Sequence, residues 1–75
     1  MTDTEYLQKL GSTLRHLRKE LQLSQEKFSL NIGMDRTYYA SVESGKRNIS
    51  IVNLRKISDG LGLKLSDLFA KIDNQ

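Results

Sequence analysis

A chain of 75 residues has room for one domain, and a domain of this size buries only about 60% of its unfolded surface, so association with a second copy would help to stabilise it. It contains no cysteine, which excludes disulfides and thiolate metal sites, and no apolar run is long enough for a signal peptide or a membrane helix, so the cytoplasm is the expected compartment. The net charge of +3 is modest; its distribution is the informative part, because Arg36, Lys46, Arg47, Arg55 and Lys56 face only Asp35 and Glu43 between residues 34 and 56, whereas the flanking regions are nearly balanced.

The first expected helix starts at Asp3 or Thr4 and runs to about Leu21. Leu7, Leu10, Leu14, Leu17 and Leu21 recur at alternating spacings of three and four, which places them on one stripe. Three heptads are not completed, so the stripe reads as a core face and not as a coiled-coil seam. Arg15, Arg18 and Lys19 fall off the stripe. His16 is the single histidine, with no cysteine or second histidine to share a metal, and is expected on the surface.

Two short helices follow. Ser24 is a good N-cap, with Leu23 before it and Phe28 placed to form a hydrophobic staple, so a helix is expected from Gln25. Gly33 suits its left-handed end, and Asp35 can cap a further helix over about Arg36 to Ser44. That helix is two-faced: Tyr39 and Val42 lie on one side, and Arg36, Thr37, Ala40, Ser41 and Ser44 on the other. It ends at Gly45, and the donors Lys46, Arg47 and Asn48 leave the end of the polar face. Residues 24–45 thus read as a helix-turn-helix with one packing face and one face free to read a partner.

A second capping sequence opens at Ser50, with Ile51, Leu54, Ile57 and Leu61 expected to face inward. Gly60 falls in the last turn of this fourth helix at a cost of about 1 kcal/mol relative to alanine, so that turn is expected to fray, with Gly62 as the terminator. A fifth helix passes through Leu68 and Phe69 to about Ile72. Ser66 is its best N-cap by chemistry. The tail Asp73, Asn74 and Gln75 is expected to fray.

The run SQEKFSLNIGMDRTYYASVESGKRN resembles the helix-turn-helix core of the Cro/repressor-like (XRE) family, through Ser24, Gln25, Phe28, Ser29, Ile32, Gly33, Met34, Val42, Glu43, Gly45, Lys46 and Arg47. The likeness extends from about Leu10 to Phe69. Within that family, Asp35-Arg36-Thr37-Tyr38 and Arg47-Asn48-Ile49-Ser50 resemble the controller proteins of restriction-modification systems. The resemblance implies an all-α, compact, five-helix lambda-repressor-like domain, a fifth helix starting near Leu65, and an ion pair between Arg18 and Glu43 like one in phage repressors. The sequence departs from the family at Gln22, where glycine is frequent; at Ser29, where a small alanine is usual; and at Tyr39, where isoleucine or valine packs. Tyr39 fills the core only if its hydroxyl finds a partner, solvent or a phosphate. Leu30, apolar on an outer face, has no explanation in the sequence.

The functional expectation is a sequence-specific regulator of transcription, controller-like and autoregulatory, that binds a palindromic double-stranded DNA operator as a homodimer, with RNA polymerase a further candidate partner. Arg36, Thr37, Tyr38 and Ser41 are the expected base-reading residues, with Arg36 on guanine. Ser24, Gln25, Lys46, Arg47 and Asn48 are expected on phosphates. Val52, Leu65, Phe69 and Ile72 are the expected dimer surface within residues 50–72. No cofactor, metal or membrane is expected, and no enzyme, since the chain lacks a phosphate-binding loop and a nucleophile with a neighbouring base. The alternative is the antitoxin or interaction module of a toxin-antitoxin pair, which has no need of Arg36, Thr37, Lys46, Arg47 and Asn48 together.

Overall fold

The Thr2 hydroxyl accepts from the Glu5 backbone N–H while the Glu5 carboxylate accepts from the Thr2 N–H, a capping box that starts the first helix at Asp3. The computed structural model describes residues 1–74 and comprises α1 (Asp3–Glu20), α2 (Gln25–Asn31), α3 (Arg36–Glu43), α4 (Ile51–Gly60) and α5 (Leu65–Asp73). The Ser24, Asp35 and Ser50 side chains cap α2, α3 and α4 by accepting from Lys27, Tyr38 and Asn53 N–H respectively. Helix α5 begins at Leu65 behind Lys64, which contributes no side-chain cap; Ser66 is therefore already inside the helix.

The first four helices end alike. Leu23 and Gln22 N–H return to the carbonyls of Arg18 and Lys19, and the same paired bonds close α2 through Met34 and Gly33, α3 through Lys46 and Gly45, and α4 through Leu63 and Gly62. Each requires one residue with positive φ. Glycine supplies it three times, whereas Gln22 adopts φ 60° with a side chain in place.

Leu10, Leu14, Phe28, Tyr39, Val42, Leu54, Ile57, Leu68 and Ile72 form the core. Helix α3 packs against α1 and α2, and α5 closes the other side against α1 and α4. The Phe28 and Tyr39 rings meet at 5.2 Å with a tilted geometry. Tyr39 is fully buried, and its hydroxyl has no hydrogen-bond partner among the described residues. The expected outlet to solvent or phosphate is closed. Burial, with the Glu43 carboxylate nearby, pushes its ionisation far up, so it stays a neutral phenol. Ser29 is accommodated because its buried hydroxyl donates to the Glu26 carbonyl.

Several expectations about packing are corrected. Leu21 is exposed because α1 ends at Glu20, one residue before it. Ile51, expected inside, is 59% exposed: it is the first residue of α4, ahead of the turn that meets the core. Ile72, expected on the dimer surface, lies wholly inside the monomer core and is unavailable to a partner. Gly60 is a packing requirement, since a Cβ there would overlap the Ile32 side chain, and its turn is closed by the Leu61 and Gly62 N–H bonds. Asp73 is held by the Tyr6 hydroxyl at 3.1 Å, so fraying is not seen there; Gln75 lies outside the described residues. Leu30 is 72% exposed, and nothing in the structure explains it.

One glycine controls the approach of α1 to α3. A Cβ on Gly11 would overlap the backbone carbonyls of Glu43 and Val42, which cannot rotate away as a side chain could. Gly11→Ala should therefore destabilise by about 1–3 kcal/mol in urea unfolding, the cost of overpacking. Gln22→Gly should act in the opposite direction, stabilising by up to about 1 kcal/mol through relief of the left-handed penalty.

Candidate nucleic-acid interface

Helix α3 carries the site, and its orientation is set from below by a buried charge pair. The Arg18 Nε and Nη2 donate to Glu43 Oε2 and Oε1 at 2.7 and 3.1 Å, with side-chain exposures of 8% and 2%. Arg18 Nη1 also donates to the Leu23 carbonyl at 2.7 Å, and Gln25 Nε2 donates to Glu43 Oε1 at 2.9 Å. One carboxylate thus joins the last turn of α1, the start of α2 and the end of α3. Burial works against ionisation of Glu43, but the hydrogen bonds from Arg18 and its other neighbours prevail and hold the carboxyl below its ordinary value near 4.5.

With Tyr39, Val42 and Glu43 turned inward, the opposite face of α3 is left to solvent. Arg36 and Thr37 are exposed at its first turn. Tyr38 and Ser41 are half-buried and belong to a small cluster: the Arg47 guanidinium lies 4.8 Å from the centre of the Tyr38 ring, Arg47 Nε donates to Ser41 Oγ at 3.3 Å, and Asn53 Nδ2 donates to the Tyr38 hydroxyl at 3.2 Å. Ser41 Oγ in turn donates to the Tyr38 carbonyl at 2.6 Å. Lys46 and Asn48 are exposed on the same loop as Arg47.

The structure therefore brings Arg36, Thr37, Tyr38, Ser41 and Arg47 onto one continuous surface. Ser24 is exposed beside it, its hydroxyl occupied in capping α2. Gln25, expected on phosphate, has its amide turned inward onto Glu43. Asn53 and Glu26 escaped sequence reasoning. Asn53 bonds Tyr38 across fifteen positions, and Glu26 Oε2 lies 3.6 Å from Arg36 Nη1. The only local signal for Asn53 was its place in the first turn of a helix capped by Ser50. His16 is on the surface, 3.7 Å from Glu20.

The fold and this surface define a helix-turn-helix protein, and the helix-turn-helix family model matches residues 14–68. The control protein C.MunI of a Mycoplasma species is 56% identical over 68 residues, covering 89% of this chain and 92% of that protein. The restriction-modification controller protein C.AhdI of Aeromonas hydrophila superposes with a TM-score of 0.80 at 43% identity, covering 84% of this chain and 96% of that one. The controller protein C.Esp1396I, solved as a tetramer with its natural 35 base-pair operator, gives a TM-score of 0.84 at 28% identity over 92% of this chain and 91% of that one. The chain belongs to the helix-turn-helix family of DNA-binding transcriptional regulators, among the controller proteins of restriction-modification systems.

Two measurements follow from the buried pair. Glu43→Gln leaves the Arg18 charge uncompensated and should cost about 3–5 kcal/mol in chemical unfolding, whereas the joint replacement Arg18→Met with Glu43→Leu should recover most of that loss. The depressed Glu43 pKa has a defined sign: its contribution is present above the unfolded value near 4.5 and is lost as pH falls through the lower folded value. An acid titration of stability should show this limb in the native protein and lack it in the Arg18→Met, Glu43→Leu form.

Proposed function

We propose that this regulator acts as a two-fold homodimer that sets α3 of each protomer in the major groove of a palindromic operator, and that it controls the operon encoding it. The observation that carries the reading is the division of α3 itself: one face is sealed in the core and tied to Arg18, and the other exposes Arg36 and Thr37 to solvent at its first turn. In such a docking the first turn approaches base edges, so Arg36 takes a guanine through O6 and N7, and Thr37 and Ser41 make secondary contacts. Lys46, Arg47 and Asn48 hold phosphates, with Ser24 at the other side of the motif. Regulation acts through RNA polymerase at the same promoter.

The partner surface is proposed at the start of α4, where Val52 is 56% exposed next to the exposed Ile51, together with the half-buried Leu65 and Phe69. Two copies related by a two-fold axis place their reading helices about 34 Å apart on one face of the duplex. Self-association on DNA is supported by the likeness to C.Esp1396I, which was solved as a tetramer with its operator.

Arg36→Ala should cost roughly 1–3 kcal/mol of operator binding and relax one position per half-site in a binding-site selection; an unchanged selected motif would remove Arg36 from the base readers. Arg47→Ala should weaken matched and unmatched DNA about equally and flatten the salt dependence by about one unit of slope. Val52→Asp should sediment as a monomer and bind a palindromic site more weakly. Native protein that sediments as a monomer while binding a single palindromic site at full strength would contradict the dimer.

A further inference from the structure

Glu26 presents an electrostatic problem on the surface just described. It is the second residue of α2, beside Gln25, and a carboxylate there faces the polyphosphate that the surrounding cations are assigned to bind. Its side chain is 75% exposed, so no need of the core accounts for it. The group it meets is Arg36, across the gap between α2 and α3, with 3.6 Å between Glu26 Oε2 and Arg36 Nη1. Asp35, the acid adjacent to Arg36 in sequence, has its carboxylate occupied by the Tyr38 N–H at the start of α3.

We propose that Glu26 is a positioning and specificity-determining residue, which restrains the Arg36 guanidinium and compensates its charge until a matching base accepts it. This rests on the assignment of Arg36 as a base reader. A guanidinium has five N–H donors in a rigid fork, and guanine O6 and N7 occupy two of them, so Arg36 can read the base while its charge stays paired with the Glu26 carboxylate. On DNA without the matching base, an unrestrained arginine swings to the nearest phosphate and strengthens binding regardless of sequence. Glu26 competes for it. The carboxylate therefore lowers affinity for unmatched DNA more than for matched DNA, and its effect is on the ratio of the two, which is the quantity a regulator needs among many competing sites.

The test uses the full-length protein with Glu26→Gln, which keeps the side-chain shape and removes the charge. Dissociation constants are measured over a range of salt for a duplex recovered by binding-site selection and for an unrelated duplex of the same length. The expected result is unrelated DNA bound about two- to five-fold tighter, the equivalent of one exposed ion pair, with a salt dependence steeper by about one unit as Arg36 neutralises a further phosphate. Matched DNA should gain less, so the specificity ratio falls, and in an Arg36→Ala background the same change should leave the ratio alone. Equal gains on both duplexes would overturn the inference, reducing Glu26 to a repulsive surface charge. If Arg36→Ala alone left the ratio at its native value, the base-reading assignment beneath the inference would fail instead.

Discussion

The orientation of α3 depends on one buried carboxylate. Glu43 accepts a forked pair of bonds from Arg18 and a third from Gln25, and Arg18 reaches on to the Leu23 carbonyl. Four segments meet there: α1, the turn after it, α2 and α3. Desolvating two charges offsets most of their attraction, so the pair adds little net stability relative to apolar residues of the same volume. Its effect is geometric. A planar guanidinium against a planar carboxylate fixes direction as well as distance, and α3 is thereby held at one angle to α1.

That constraint explains the close approach at Gly11, where α1 lies against the backbone of Glu43 and Val42 with no room for a methyl group. The pair brings the helices together at Glu43, and the glycine permits the contact. The apolar side of α3 is then held by the contact of Tyr39 with Phe28 of α2, so the polar side has no freedom to turn inward. What remains exposed is a rigid platform carrying arginine, threonine and a basic loop. Arg47, stacked on Tyr38 and bonded to Ser41, is part of that platform and not a free tether.

The sequence carried the local grammar of the three middle helices. Ser24, Asp35 and Ser50 as caps and Gly33, Gly45 and Gly62 as stops place α2, α3 and α4 within a residue, because capping is decided by neighbours in the chain. The start of α5 had no such signal: Lys64 caps nothing, Ser66 was the better chemical choice, and the family likeness located the helix at Leu65. Burial was harder to read, since it depends on which elements meet. Ile51 and Ile72 have the same side chain and similar helical spacing, yet one faces solvent ahead of the core and the other is sealed by it. At the site, the residues of α3 and its loop were legible from amphipathicity, whereas Glu26, Gln25 and Asn53 act across helices, through contacts that periodicity within one helix does not encode.

We propose that the exposed face of α3 and the loop after it meet the DNA. A nitrogen-labelled sample titrated with a duplex recovered by selection tests it residue by residue. The largest amide shift changes are expected at Arg36, Thr37, Ser41, Lys46, Arg47 and Asn48, with α5 responding little. Changes concentrated on α1 and α5, with those residues unmoved, would contradict it.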